Sequence, residues 1–177
     1  MDKYIIDTLN SQVSFEVTYM MMTKITGTFN DFKLTIEADN LADMTGAKVS
    51  GEADVMSIDT NVKERDDHLR SEEFFNAEKY PKVTFESTEV RKAGQTVKVF
   101  GDLTIMDQTE NIMIILYNKG ARTNPWGTEV YGLEGKFELK RSDYGLTWNK
   151  SLTNGGVLVS NKVKVMASLQ FSKAERK

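Results

Sequence analysis

Hydrophobic and polar residues alternate with a period of two from one end of this chain to the other, the pattern of strands that bury one face. Val13, Phe15, Val17, Tyr19 and Met21 share one face, with Ser14, Glu16 and Thr18 on the other. Phe32, Leu34, Ile36 and Ala38 alternate with Lys33, Thr35, Glu37 and Asp39, and Val49, Gly51, Ala53 and Val55 with Ser50, Glu52 and Asp54. Three later runs repeat the pattern: Val97, Val99, Gly101, Leu103 and Ile105; Tyr131, Leu133, Gly135, Phe137 and Leu139; Val163, Val165, Ala167, Leu169 and Phe171. Shorter runs at 82–91 and 109–118 bring the total to about eight strands, several of them well beyond the usual length of about 5–6 residues. A twelve-residue strand spans on the order of 40 Å. Turn-forming residues separate the runs at Lys24 to Gly27, Ala42-Asp43-Met44-Thr45-Gly46, Lys92-Ala93-Gly94-Gln95 and Asp107-Gln108-Thr109. Connections this short favour hairpins and antiparallel pairing.

The alternation stops between Asp59 and Tyr80. Helix formers cluster from Val62 to Arg70, and Ser71 is placed to cap a second short helix with Glu72 and Glu73 in its first turn. These residues predict a short helical insertion around residues 61–79, ended by Pro81. Two further irregular stretches, Gly120 to Gly127 and Ser142 to Asn161, carry the two tryptophans, Trp126 and Trp148, which are placed to flank a mouth or to pin loops. With no linker and no repeat, residues 1–177 read as one domain. Long strands with one apolar face each form a sandwich or a closed barrel. Closure removes exposed edges, and eight strands enclose either packed side chains or one small ligand. The predicted fold class is all-β, an extended eight-stranded antiparallel barrel.

Gly51, Gly101 and Gly135 fall on the inward parity and withhold side chains from faces otherwise built of Val, Leu, Phe and Ile. They either open an apolar tunnel along the barrel axis or permit the bends that close it. The candidate tunnel residues are Phe15, Val17, Tyr19, Phe29, Phe32, Leu34, Val49, Gly51, Phe85, Gly101, Leu103, Tyr131, Leu133, Gly135, Phe137 and Phe171. The consecutive Met20, Met21 and Met22 cannot all face one core, so some are expected at a rim.

Charge and composition narrow the chemistry. The net charge of −3 comes from 26 acidic and 23 basic residues spread along the chain, without the basic patch that nucleic acid requires. With no cysteine there is no thiol catalysis, thiolate metal site or disulfide. His68 is the only histidine, which excludes multi-histidine metal sites. Asp66 and Asp67 adjoin it, yet no nucleophile elbow, phosphate loop or dinucleotide fingerprint is present, so this acidic segment reads as a charged helix surface. No catalytic residue, metal or cofactor is expected. The longest apolar run, Ile112 to Tyr117, is too short for a membrane-spanning helix. Met1-Asp2-Lys3 leads straight into Tyr4-Ile5-Ile6-Asp7 without an apolar leader, so the expected location is the cytoplasm.

The broken segment also carries a resemblance. Ser57-Ile58-Asp59-Thr60, the run Arg65-Asp66-Asp67-His68-Leu69-Arg70-Ser71-Glu72-Glu73-Phe74-Phe75, and Lys79-Tyr80-Pro81-Lys82-Val83-Thr84-Phe85 closely resemble the signature of the YceI-like family. Tyr4 to Asp7, Val13-Ser14-Phe15, Gly27-Thr28-Phe29, Gly101-Asp102-Leu103-Thr104-Ile105 and Arg141-Ser142-Asp143-Tyr144-Gly145-Leu146 extend it over nearly the whole chain. What the resemblance implies is a lipocalin-like barrel with a long apolar pore, associated with polyisoprenoid lipids, isoprenoid quinone metabolism and stress in bacteria. Relatives commonly have histidines where this chain has Asn10 and Tyr19, and Gly-x-Thr where it has Asp107-Gln108-Thr109. A head group held by those histidines would be held differently here.

The expectation is therefore non-catalytic binding, transport or storage of a long-chain apolar lipid, a polyisoprenoid or isoprenoid quinone. Rival expectations are a fatty acid or fatty amide in the same cavity, or a small lipid-modifying enzyme using His68. The charged outer faces of long strands are compatible with a homodimer.

Overall fold

The alternating runs form eight antiparallel staves of one barrel, in a computed structural model that describes residues 1–153 and 155–174. Three staves are broken in the middle. β1 (Asp2–Ile6) and β2 (Gln12–Tyr19) are halves of the first, separated by a 3₁₀ turn at Thr8–Asn10. Asp7 caps that turn by accepting the Leu9 N–H. β3 (Thr23–Phe29) and β4 (Phe32–Ala38) form the second. β5 (Lys48–Asp54) and the two-residue β6 (Ile58–Asp59) form the third. The continuous staves are β7 (Lys82–Ala93), β8 (Thr96–Ile105), β9 (Gln108–Thr123), β10 (Glu129–Lys140) and β11 (Lys162–Lys173). β1 pairs with both β4 and β11, which closes the sheet into a barrel, while the short β6 pairs with β3 at its end.

Two bulges reset the inward parity. One lies between Ser87 and Glu89 on β7, after which Val90 is buried where the unbroken alternation would bury Glu89. The other lies on β9 opposite Gly132 and Leu133.

The two ends differ. At one end the connection from β4 to β5 folds inward as a plug, with Leu41, Met44 and Ala47 buried and Met44 fully so. The plug is tied to the wall by the Gly46 N–H donating to the Val90 carbonyl at 3.2 Å and by the Asn118 amide donating to the Leu41 carbonyl at 2.9 Å. Asp43 shapes it by accepting the N–H and hydroxyl of Thr45, bonds that hold its carboxyl below the usual range. Sequence periodicity shows this segment only as a turn.

The other end carries the turn at 20–22, the turn at 106–107, the connection 141–161 and the helical insertion. The insertion is one helix, α1 (Lys63–Arg70), followed by turns. The expected second helix at Ser71 is corrected. Ser71 ends α1 instead, its N–H and hydroxyl both turned back on the His68 carbonyl, so neither caps a new helix. No helix among the described residues is long and apolar enough to cross a membrane.

Candidate functional site

Because successive side chains alternate across each stave, the inward set converges on one cavity of about 620 Å³. Its wall brings together Phe15, Val17, Tyr19 and Phe29 from the first two staves and Phe32, Leu34, Val49 and Gly51 from β4 and β5. Phe85, Leu103, Leu133, Gly135, Phe137 and Phe171 complete the expected residues found there. The same inward parity adds Val13, Ile36, Val83, Val99, Leu116 and Val165 to the lining.

Gly101 and Tyr131 do not line the cavity. Tyr131 sits near the plugged end, edge-on to Tyr4 with ring centroids 5.3 Å apart. Gly101 is covered by the ring of Phe85. The tunnel reading of the glycines is corrected more broadly, because neighbours occupy the space they leave. A Cβ at Gly51 would collide with Leu34, and one at Gly135 would stand 3.1 Å from a Leu116 methyl. Only Gly51 and Gly135 border the cavity at all.

The polar side chains that reach the cavity gather at the α1 end. Thr60, just past β6, is the hub. Its N–H and hydroxyl donate to one carboxylate oxygen of the buried Asp66, at 2.8 and 2.5 Å. Arg65 donates from Nε to the Thr60 hydroxyl oxygen at 2.7 Å and from Nη2 to the Thr60 carbonyl at 2.6 Å. Arg70 donates to the Met56 and Ile58 carbonyls, fixing α1 against the stave from which it springs. Thr60, Glu64, Arg65 and His68 all border the cavity, joined there by Leu69, Phe74 and Phe75.

The connection after β10 supplies the facing side. Arg141 is 6% exposed and donates to four main-chain carbonyls: Ser160 from Nε at 2.9 Å, Leu146 and Trp148 from Nη1 at 3.0 and 3.2 Å, and Val159 from Nη2 at 3.3 Å. Burial pulls its pKa below the ordinary value. The Asn149 side chain exchanges two hydrogen bonds with the backbone of Val159, and the Met20 N–H donates to the Leu158 carbonyl. The loop is thereby held across the end of β2.

Helix and loop meet through rings. His68 stands edge-on to Trp148 at 4.7 Å and to Phe74 at 5.0 Å, while its Nε2 lies 2.6 Å from a Glu73 carboxylate oxygen. Trp148 thus flanks the mouth, whereas Trp126 lies on the β9–β10 turn at the far end, 85% exposed. Met20, Met21 and Met22 are exposed on the β2–β3 turn beside the mouth. The loop residues Leu146, Leu158 and Val159 and the polar set carry no periodicity, so nothing in the alternation marked them as site residues. Among the described residues no group of three or more acidic or histidine side chains is placed to hold a metal ion.

A YceI-like domain family model matches residues 4–171. A UPF0312 protein of Staphylococcus epidermidis is 34% identical over 173 residues, 97% of this chain and 98% of the relative. Among solved structures, Burkholderia cenocepacia BcnA superposes with a TM-score of 0.81 at 22% identity, covering 93% of this chain and 98% of that one. A polyisoprenoid binding domain from Saccharophagus degradans, implicated in plant cell wall breakdown, superposes with a TM-score of 0.70 at 16% identity, covering 98% and 100%.

Proposed function

The chain belongs to the YceI-like family, and from that premise we propose that it binds a long-chain apolar lipid of polyisoprenoid or isoprenoid quinone type inside its barrel, as a carrier or store rather than as a catalyst. The observation that carries this reading is the distribution of side chains around the cavity. Its body is walled by Val, Leu, Ile and Phe from every stave, one end is plugged by Leu41, Met44 and Ala47, and polar side chains enter at the opposite end. A volume of about 620 Å³ lies in the range of cavities that bury most of a drug-sized ligand. Burial contributes about 0.8 kcal/mol per methylene, so affinity grows with tail length until the tail meets the plug. The Saccharophagus degradans domain, a polyisoprenoid binding domain of similar fold, supports the choice of tail.

Catalysis is not needed to account for His68, whose ring packs between Phe74 and Trp148 and whose Nε2 meets Glu73. The test is mass spectrometry of an organic-solvent extract of the native protein. A stoichiometric isoprenoid or quinone is expected. An extract that stays empty after the protein is soaked with such lipids would overturn the reading.

A further inference from the structure

We infer that the polar end of the bound lipid is an oxyanion, a carboxylate or a phosphate, received between Arg141 and Arg65 at the α1 end of the cavity. The inference rests on the lipid-binding reading above and adds the chemistry of the head group.

A guanidinium presents five N–H donors. Arg141 spends four of them on main-chain carbonyls, which leaves one on Nη2. All four partners are neutral, and among the described residues no carboxylate lies within ion-pair distance of Arg141. The side chain is more than nine-tenths buried and borders an otherwise apolar cavity. A buried charge is ordinarily paired, because withdrawing it from water is costly and carbonyl dipoles compensate it only in part. Arg141 thus borders the cavity with one donor unspent and no counter-charge beside it, and an anionic head would supply both partners.

Arg65 is the second guanidinium on that cavity. It is half-buried, both of its hydrogen bonds go to Thr60, and it too has no carboxylate partner within ion-pair distance among the described residues. The nearby Asp66 is turned to the Thr60 N–H and hydroxyl instead. The two arginines are linked through the ring contact at the mouth. Arg141 donates to the Trp148 carbonyl, the Trp148 indole meets His68, and His68 lies one helical turn beyond Arg65 on α1. Guanidinium forks match the paired oxygens of carboxylate and phosphate better than a single neutral hydroxyl does. Glu64 also borders the cavity, but it is exposed and has no ion-pair partner among the described residues. It opposes an anionic head and limits its affinity.

The test compares lipids of equal tail and different head on the delipidated full chain by titration calorimetry. One series is geranylgeranyl phosphate against geranylgeraniol, the other palmitate against palmitamide, with inorganic phosphate as the tail-free control. The anionic member is expected to bind about tenfold or more tightly in at least one series, and the series in which it does so names the head as phosphate or carboxylate. Arg65→Gln should remove most of that preference, and Glu64→Gln should enlarge it. Arg141→Gln is the stronger variant but endangers the 141–161 connection, so the wild-type comparison and Arg65→Gln decide the matter. Equal binding of anionic and neutral members in both series overturns the head-group inference and leaves the lipid cavity standing. Binding of none of the four lipids overturns the cavity reading and this inference together.

Discussion

The ring of Phe85 on β7 lies across Gly101 on β8, in the space a side chain at Gly101 would fill. A Cβ there would also stand 2.6 Å from the Glu86 carbonyl oxygen, a backbone atom that cannot swing aside. Gly101→Ala therefore displaces the strand pair rather than narrowing the cavity. A loss of about 1–3 kcal/mol is expected in the urea midpoint analysis, with lipid affinity of the folded fraction unchanged. Loss of lipid binding at full stability would show that position 101 borders the ligand after all.

Tyr144, in the 3₁₀ turn after β10, is 1% exposed, and its hydroxyl has no hydrogen-bond partner among the described residues. Removing an unpaired buried hydroxyl removes its desolvation cost, so Tyr144→Phe is expected to stabilise the protein by about 1 kcal/mol near neutral pH.

The same residue sets an alkaline limit. Burial, with Glu110 and Asp143 nearby, pushes the Tyr144 hydroxyl up from 10.0 to about 12. Between those values the unfolded chain releases a proton that the folded chain keeps, so stability falls as pH rises. The contribution is complete below about pH 10 and lost by about pH 12, and amounts to at most about 3 kcal/mol. Denaturant titrations of wild type and Tyr144→Phe should diverge across that window, with the flatter profile belonging to the variant. Parallel profiles would exclude Tyr144 as the titrating group.

The barrel was legible in the sequence because its signal is repeated on every stave. Val163, Val165, Ala167, Leu169 and Phe171 need only alternate to declare an inward face, and their partners on β10 alternate in register with them. The plug was not legible. Leu41 and Met44 are single apolar residues in a polar turn, and the hydrogen bonds that tie the turn to the wall come from Asn118 and Val90, distant in sequence. Arg141 was hidden for a similar reason. It belongs to the family motif, yet the carbonyls that surround it come from residues 146–160, and no local pattern reports that a cation lacks a counter-charge. Glycine parity misled because an absent side chain leaves space only if a neighbour does not take it.

Met20 and Met21 carry positive φ angles of 52° and 58° in the β2–β3 turn, a conformation that costs bulky side chains of order 1 kcal/mol each. Asn-Gly is the sequence suited to two such positions in succession. The double variant Met20→Asn, Met21→Gly is expected to raise stability by about 1 kcal/mol, read as a shift of several degrees in Tm with lipid release beforehand. No gain, or a loss, would mean that the contact of Met21 with the Gly156 region outweighs the strain.

Trp148 offers a direct optical report on the mouth. Its indole packs against His68 at 4.7 Å and Phe74 at 5.2 Å and borders the cavity, while Trp126 stands 85% exposed at the opposite end. Trp126→Phe removes the solvent-exposed emitter, and as a surface change its effect on stability is within about 0.5 kcal/mol. The remaining emission should lie to the blue of free tryptophan and shift further when a geranylgeranyl lipid enters, because the tail displaces water from beside the ring. His68→Ala in that background should move the ligand-free emission to the red by opening one side of the indole. It should leave the ligand-induced shift in place, since the tail and not His68 produces it. A single-tryptophan protein whose emission ignores lipid that calorimetry shows to be bound would place the ligand away from the 141–161 connection, and with it the mouth at some other part of the rim.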